Sequence, residues 1–188
     1  MMLSTINVLD KGFVSLLSAS NNGKTLKTIE DEYFGTKINK DLLNIANATF
    51  IIKMPLFVQT FLSQFNLDIT VLPVKEEPEA YIPDESEIHT GKNDDDREVV
   101  THIKETTEAL FLSSKGYQQD NCDKFMSQVI TPISVYTKVI VHGDIMSWLK
   151  FLKRKKLPHP IEVYRKAVED LLKIEWKDVE QYKKGAKL

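Results

Sequence analysis

Alternation of apolar and polar residues predicts β-strands in three stretches of the chain. The segment INVLDKGFVSLLSAS, residues 6–20, alternates around one glycine and is typical of a first strand or a hairpin. Residues 49–54 of DLLNIANATFIIKM and the segment ISVYTKVIVHG, residues 133–143, are rich in β-branched side chains and predict two further strands. The segment NNGKT, residues 21–25, predicts a turn.

Helical periodicity dominates the rest of the chain. Pro55 suits the first position of a short helix, in which Val58, Phe61, Leu62 and Phe65 recur at helical spacing. Later helices are predicted over residues 97–114 and 120–130, from Asp144 onward, and after Pro160. Their expected inward residues are Val99, Ile103, Leu110 and Phe111; Cys122, Phe125, Met126, Val129 and Ile130; Ile145, Trp148, Leu149 and Leu152; and Val163, Ala167, Val168, Leu171 and Leu172. Phe57, Phe61, Trp148, Phe151 and Leu171 are predicted to be largely buried.

Residues 73–98 interrupt these patterns and are predicted to form a long surface loop. They hold three of the seven prolines and an excess of carboxylates. The run Asp94–Asp95–Asp96 at the end of this stretch has two explanations: a divalent metal site, or a helix start whose free N–H groups and dipole the carboxylates complement. The second is favoured, because no partner at metal-ligand spacing follows.

Strands followed by helices predict an α+β fold, with a central sheet flanked by helices in a single domain of residues 1–188. Apolar residues make up 42% of the chain and charged residues 28%, as in ordinary globular proteins. The net charge of −2 gives no general attraction to nucleic acid or to an anionic membrane. One cysteine and no long apolar run predict a cytoplasmic protein without disulfides or membrane spans.

Few residues carry an obvious chemistry. The four histidines are scattered without metal-ligand spacing, and no glycine-rich phosphate loop is present, so no metal site is expected. Cys122 lies within an apolar stripe, which favours a core residue over a nucleophile. The run Lys153–Arg154–Lys155–Lys156 fits either the end of a helix, where cations complement the dipole, or a phosphate contact. The helix end is favoured from the residues alone.

Three stretches together resemble the flavin-dependent thymidylate synthase (ThyX) family. NVLDKGFVSLLSAS resembles that family's opening strand and turn, and FIIKMPLFVQTFLSQFN its segment F-x-I-K-x-P-I-F-V-A-R-Q-W-x-R-H-R. ITPISVYTKVIVHGDIMSWLKFLKRK is similar to the family's L-P-x-x-x-Y-T segment with its later N-x-R-S and F-L-x-x-R, and AYIPD to its F-Y-I-P-E. The resemblance spans most of the chain and implies a ThyX-like fold, but the matched positions are mainly apolar.

The charged positions of the family motifs are replaced. Gln64, Phe65 and Asn66 occupy the place of R-H-R, and Ile69, Val71 and Leu72 follow in place of further polar residues. Thr60 and Gln128 stand where arginines are expected, and Asp144 and Met146 where N-x-R is expected. Only Lys153, Arg154 and Lys155 keep the expected charge. The chain is therefore identified as a divergent, motif-degenerate member of the family.

These replacements imply weak or absent binding of FAD and dUMP, because neutral side chains cannot replace guanidinium groups against phosphates. No catalytic residue and no cofactor are assigned, and Gln128, Lys153, Arg154 and Lys155 remain as candidate substrate contacts. The favoured hypothesis is a pseudoenzyme that acts through binding or assembly. The alternatives are an active flavin-dependent methyltransferase with a rewired site, which would need FAD, and an unrelated interaction domain. The resemblance implies a homotetramer first and a dimer second, or a hetero-oligomer with a paralogue. The net charge of −2 leads us to expect no nucleic acid partner.

Overall fold

The structure is a computed structural model, and it describes residues 4–20, 46–73, 78–83, 87, 96–119 and 131–180. These residues form five strands and four α-helices, which confirms the predicted α+β class. In chain order the elements are β1 Thr5–Val8, β2 Gly12–Ala19, β3 Asn47–Pro55, α1 Leu56–Leu62, a short 3-10 helix Ser63–Phe65, β4 Asp68–Val71, α2 Asp96–Gln119, β5 Tyr136–Asp144, α3 Ile145–Leu152 and α4 His159–Glu175. No helix in these ranges has the length and apolar content needed to cross a membrane.

The chain divides into two compact units. The first comprises Met1–Met54, Val58–Val74 and Thr137–Leu188, and it contains most of the sheet together with α3 and α4. The second comprises Pro55–Phe57 and Lys75–Tyr136, and it contains α2.

The strands form one sheet in the order β1-β2-β3-β5-β4. β1 and β2 are an antiparallel hairpin, as predicted, and β2 pairs antiparallel with β3. β5 pairs antiparallel with β4, although β4 precedes it in the chain. β3 and β5 also run antiparallel, since Ile145 N–H at the end of β5 donates to Ala46 O at the start of β3 (2.8 Å).

One face of the sheet is sealed by the two C-terminal helices. Alternate residues of the two strands lie on this inner face, and the following are fully buried: Ala48, Phe50, Ile52 and Met54 on β3, and Val139 and Val141 on β5. Trp148 of α3 packs edge-on against Phe50, with ring centroids 4.8 Å apart, and its indole N–H donates to Ala48 O (3.2 Å). Burial of this many apolar side chains is the main stabilising term of the fold.

The starts of α3 and α4 follow ordinary capping rules. Asp144 caps α3 by accepting a hydrogen bond from Ser147 N–H (2.6 Å), and the helix begins near Asp144 as the sequence predicted. The predicted inward residues Ile145, Trp148, Leu149 and Leu152 are all buried. In α4, with Pro160 in its first turn, Ala167, Val168, Leu171 and Leu172 are buried and Val163 is half-buried.

An ion network binds α4 to the end of α3. The Arg165 guanidinium donates to the carboxylates of Glu162 (2.8 Å) and Glu169 (2.7 Å), and also to the carbonyl of Leu152 (3.1 Å). The hydrogen bond to Glu162 is the main cause that raises the pKa of Arg165 above its ordinary value. Lys173 pairs with both Glu169 and Glu180. The last turn of α3 is therefore held at its carbonyl end by a charged side chain.

Several predictions need correction. Pro55 ends β3, and α1 begins one residue later at Leu56. Leu110 was predicted on the inner side of α2 but is 38% exposed. The buried residues at the centre of the helix face are Thr107 and Ser114, and the Ser114 hydroxyl lies 3.2 Å from that of Thr131. Val99, Ile103 and Phe111 flank this line and are half-buried.

The span 73–98 has more structure than a loop prediction implies. Ala80 forms an isolated bridge with Val135, and Tyr81 is buried, with its ring 6.1 Å from that of Phe57. The Tyr81 hydroxyl donates to Glu87 (2.7 Å). α2 begins at Asp96, which agrees with a helix start at the aspartate run. The turn at 21–25 and the helix at 120–130, with Cys122, lie outside the described residues.

The five aromatic and aliphatic residues predicted to be buried divide into two groups. Trp148, Phe151 and Leu171 are buried almost completely, whereas Phe57 and Phe61 are half-buried. None of them is exposed, so the assignment of elements on which the prediction rested is confirmed.

Gly12 provides a test of the hairpin's packing. A Cβ at this position would lie 2.0 Å from the Tyr164 hydroxyl and 2.8 Å from Val8 O. We expect Gly12→Ala to lower the free energy of unfolding by about 1–3 kcal/mol, because the crowded atoms include backbone that cannot move aside. The measurement is urea denaturation.

Gly116 of α2 is the matched control for that substitution. A Cβ there meets no atom within 4 Å, so Gly116→Ala should raise the free energy of unfolding by about 0.5–1 kcal/mol through helix propensity. Equal effects of the two substitutions would contradict the described packing of the hairpin against Tyr164.

Candidate functional site

The triplet Gln64–Phe65–Asn66 lies at the turn between α1 and β4. The short 3-10 helix Ser63–Phe65 extends α1, and Asn66 ends it in the left-handed conformation with φ 54° and ψ 45°. Asparagine tolerates this backbone better than most residues. Gln64 and Asn66 are exposed, whereas Phe65 is only 4% exposed. The two outer residues of the triplet therefore face solvent and the middle one faces the core.

Phe65 belongs to a continuous aromatic cluster. Its ring lies 5.4 Å from that of Phe61 and 5.4 Å, edge-on, from that of Phe151. Phe151 in turn contacts Trp148, with ring centroids 6.5 Å apart. Such edge-to-face pairs add about 0.5–1.5 kcal/mol each beyond the buried area. The position that the ThyX motif gives to histidine is therefore a structural core position in this chain.

The structure brings the cationic run next to the triplet. The Arg154 guanidinium lies over the Phe65 ring, 5.6 Å from its centroid. Arg154 follows the end of α3, and its backbone N–H donates to Phe151 O (3.1 Å). This hydrogen bond fixes the position of the Arg154 backbone. A cation–π contact of this kind contributes about 0.5–1 kcal/mol at an exposed site. Nothing in the spacing of the sequence indicated that these two residues would meet.

Arg154 is held by its ring contact and not by an acid. Across the described part of the chain, its guanidinium makes no hydrogen bond or ion pair, so its N–H groups are directed to solvent. Lys155 and Lys156 beside it are exposed, and Lys156 has a left-handed backbone with φ 57°. Lys153 is half-buried at the end of α3. Together with the amides of Gln64 and Asn66, these residues form what we call the Arg154 site.

The Arg154 site offers cations and neutral amides, and no group that exchanges protons near neutral pH. Gln64, Phe65, Asn66, Lys153, Arg154 and Lys155 include no carboxylate, imidazole or thiol. Such a set can bind an anion through charge-assisted hydrogen bonds. General acid–base catalysis would need a residue from elsewhere.

The other motif positions are distributed over several elements, and one of them lies outside the described residues. Asp144 caps α3, Met146 is half-buried, and Thr60 is exposed on α1. Ile69 and Val71 belong to β4, a strand that was not predicted. Gln128 lies outside the described residues. Among the described residues no group of three or more metal-ligating side chains comes together, so the structure offers no metal centre there.

Comparison with known proteins finds a similar fold but no matching family. No family model matches the chain. No curated protein matches it either. Among solved structures, the UMP/dUMP methylase PolB from Streptomyces cacaoi, bound with 5-Br UMP, is similar with a TM-score of 0.73 and 14% sequence identity. The similarity covers 92% of this chain and 93% of that chain.

The predicted ThyX-like fold is confirmed. At 14% identity the likeness concerns the arrangement of the backbone, and the residues of the Arg154 site have to be judged on their own geometry.

Phe65→His tests whether this position is core. We expect the substitution to lower the free energy of unfolding by about 2–3 kcal/mol, because imidazole buries less apolar area against Phe61 and Phe151. Phe65→Leu, which stays apolar, should cost about half as much. The measurement is chemical denaturation of both variants beside the parent chain. Unchanged stability of Phe65→His would mean that the ring is not an integral part of the cluster.

Proposed function

We propose that this chain is a pseudoenzyme with a ThyX-like fold, which acts through binding or assembly. The observation that carries the proposal is the position of Phe65. A side chain that is 4% exposed and packed against Phe61 and Phe151 cannot reach a ligand. The loss of histidine from the motif is therefore a change of role, from contact with a ligand to packing of the core.

The residues at the triplet do not fit FAD. The pyrophosphate of a flavin dinucleotide needs cations or several N–H donors, and Gln64 and Asn66 provide neutral amides on an exposed turn. Loss of one partner of a charged contact typically costs about 2–5 kcal/mol in binding. Reintroducing arginine at position 66 would also require it to adopt the left-handed backbone that Asn66 has now.

Binding of a smaller anion remains compatible with the Arg154 site. Arg154 is positioned over Phe65 with its N–H groups directed to solvent, and Lys155 is exposed beside it. A planar guanidinium recognises phosphate oxygens through two parallel hydrogen bonds. We therefore assign to this site weak binding of a nucleoside monophosphate, without chemistry on its base.

Exposed apolar residues of the second unit support assembly. Leu56 and Ile133 are 38% and 67% exposed, and they are neighbours, since Phe57 N–H donates to Ile133 O (3.1 Å). Leu110 and Leu112 of α2 in the same unit are also exposed. Large apolar side chains that neighbour one another on a surface, as Leu56 and Ile133 do, are typical of a protein–protein interface. The partner we propose is a second copy of this chain, in a homotetramer or a dimer, with an intact paralogue as the other option.

An active flavin-dependent methyltransferase with a rewired site is the second candidate. One observation favours it: the structural similarity extends over 92% of the chain to a protein described as a UMP/dUMP methylase. On this hypothesis the acid–base group and the flavin contacts come from residues outside the Arg154 site.

Ligand binding separates the two candidates. We expect the purified protein to carry no flavin and to bind dUMP weakly, with about tenfold loss of affinity in Arg154→Gln, because one charge-assisted contact is removed. Calorimetry with FAD and dUMP measures both. Lys150→Gln, at an exposed position of α3, is the matched control and should bind as the parent chain does. Stoichiometric flavin in the purified protein would support the active enzyme instead.

Light scattering tests the proposed assembly. We expect a mass well above that of one chain at tens of micromolar, on the order of two to four chains, and a decrease toward one chain for Ile133→Glu, because a charge at an apolar contact is costly to bury. Ile174→Glu on α4, where the side chain is 59% exposed, is the control and should leave the mass unchanged. A monomeric parent chain would refute the assembly part of the proposal.

A further inference from the structure

β4 is an edge strand of the sheet, with β5 on one side and no strand of the described residues on the other. An edge strand presents backbone N–H and C=O groups that another chain can pair with, and proteins commonly protect such edges with charges or proline. In this chain Pro73 follows shortly after the end of β4, but Val71 within the strand is large, apolar and 56% exposed. The edge of β4 is therefore only partly protected against pairing.

The register with β5 decides which backbone groups of β4 point to the edge. Leu72 N–H donates to Lys138 O (2.8 Å), in the same register as the β4–β5 pairs. Because bonded and non-bonded positions alternate along an antiparallel pair, every second residue of β4, counted back from Leu72, is bonded to β5. The N–H and C=O groups of Ile69 and Val71 therefore point away from β5, and none of the described residues pairs with them there.

The side chains of Ile69 and Val71 add apolar area to these backbone groups. They lie opposite the two buried valines of β5, on the inner-face side of the sheet. Ile69 is half-buried, so part of both side chains is open at the edge. The other edge strand, β1, exposes the polar residues Thr5 and Asn7 instead. Of the two edges, β4 is the one whose side chains favour contact with another chain.

A second copy of β4 fits this edge in an antiparallel register centred on Thr70. Ile69 of one copy then lies opposite Val71 of the other, and each such pair exchanges two hydrogen bonds between N–H and C=O groups. The outward groups of both strands are all satisfied, and isoleucine packs against valine. Thr70 lies opposite its own counterpart, which is a favourable cross-strand pair.

Neighbouring registers satisfy fewer groups. A register centred on Val71 would set Ile69 opposite Pro73, which has no N–H to donate. A register centred on Ile69 would set Val71 opposite Leu67, which lies outside β4. The edge is therefore self-complementary in the register centred on Thr70.

The charge of β4 does not oppose this pairing. Asp68 is the charged residue of the strand, and it lies opposite Leu72 of the other copy in the register centred on Thr70. The two Asp68 residues are then four positions apart along the strands, which is about 14 Å at the rise of an antiparallel strand. This distance exceeds the screening length of about 10 Å at about 0.1 M salt.

We propose that two copies of this chain pair through β4, antiparallel about a two-fold axis at Thr70, so that their sheets join into one continuous sheet. Such a contact is isologous, because the same residues serve on both sides. The inference deepens the proposed function and rests on it in one respect, that the partner is a second copy of this chain. It uses neither Leu56 nor Ile133.

Disulfide cross-linking tests the register. In a Cys122→Ser background, which removes the single native thiol, Thr70→Cys places two thiols at opposed positions. Their Cα atoms are about 4.5 Å apart, within the span of about 4.4–6.8 Å that a disulfide bridges. We expect oxidation with copper phenanthroline to convert Thr70→Cys into a dimer on a non-reducing gel.

Asp68→Cys, in the same background, is the matched control. It is exposed on the same strand and the same face as Thr70, but its counterpart lies about 14 Å away, so it should stay monomeric on the gel. Equal cross-linking of the two variants, or no cross-linking of Thr70→Cys, would overturn the proposal.

Amide hydrogen exchange gives a second measurement without any substitution. Leu72 N–H is protected within one chain by Lys138 O, whereas Ile69 and Val71 gain protection only from pairing at the edge. Above the dissociation constant of the dimer, exchange at Ile69 and Val71 should slow about threefold for each tenfold rise in protein concentration, as mass action requires. Exchange at Leu72 should not change. Exchange at Ile69 and Val71 that is independent of concentration would contradict the pairing.

Light scattering separates this contact from the assembly proposed at Ile133. Val71→Lys places a charge against an apolar side chain of the other copy and should lower the mass of the assembly, whereas Asn7→Lys at the β1 edge should not. The Thr70→Cys cross-link should persist in Ile133→Glu. A mass that falls in Ile133→Glu but not in Val71→Lys would overturn the β4 contact and leave the proposed assembly in place. The reverse result would support the β4 contact and refute the role of Ile133.

Discussion

The packing of Trp148 against the inner face of the sheet determines where α3 lies, and with it the position of the Arg154 site. α3 begins directly at the end of β5, so its first turn has to lie against β3 at once. Trp148 makes this possible, because its ring packs on Phe50 while its N–H satisfies Ala48 O. An indole whose N–H is hydrogen-bonded can bury its large apolar ring without leaving an unpaired donor in the core. One turn later Phe151 meets Phe65, and the next residues carry the cations.

The residues next to the Trp148 contact are also closely packed. Gly143 precedes the cap of α3, and a Cβ there would lie 2.3 Å from Leu67 Cδ2. Leu67 follows the triplet and is itself buried. The end of β5, the start of α3 and the turn after α1 therefore fit together as one packed region. The position of Arg154 over Phe65 is a consequence of that packing, since its backbone is fixed at Phe151 O.

Local patterns in the sequence predicted those elements whose own residues supply most of the stabilisation. The β1–β2 hairpin, β3, β5 and the capped helix α3 all have strong periodicity, and Phe65 falls on the apolar stripe of the helix that the sequence predicts after Pro55. β4 was missed because residues 68–71 are four mostly exposed positions that become a strand only by pairing with β5. Thr107 and Ser114 were missed on α2 because hydroxyl-bearing side chains do not contribute to an apolar stripe, although both are buried and the Ser114 hydroxyl lies 3.2 Å from that of Thr131. The contact between Phe65 and Arg154 joins distant parts of the chain, so no local pattern contains it.

Several charged side chains in the described part of the chain serve structure. Arg165 joins two carboxylates of α4 to the last carbonyl of α3, and Lys173 joins Glu169 to Glu180. These contacts orient helices and leave those side chains engaged with the protein. Catalysis, in contrast, needs charged groups whose strongest interaction occurs with the transition state. Arg154 is different from Arg165 because an aromatic ring positions it without neutralising it. A guanidinium held in that way can bind an anion without first breaking an ion pair.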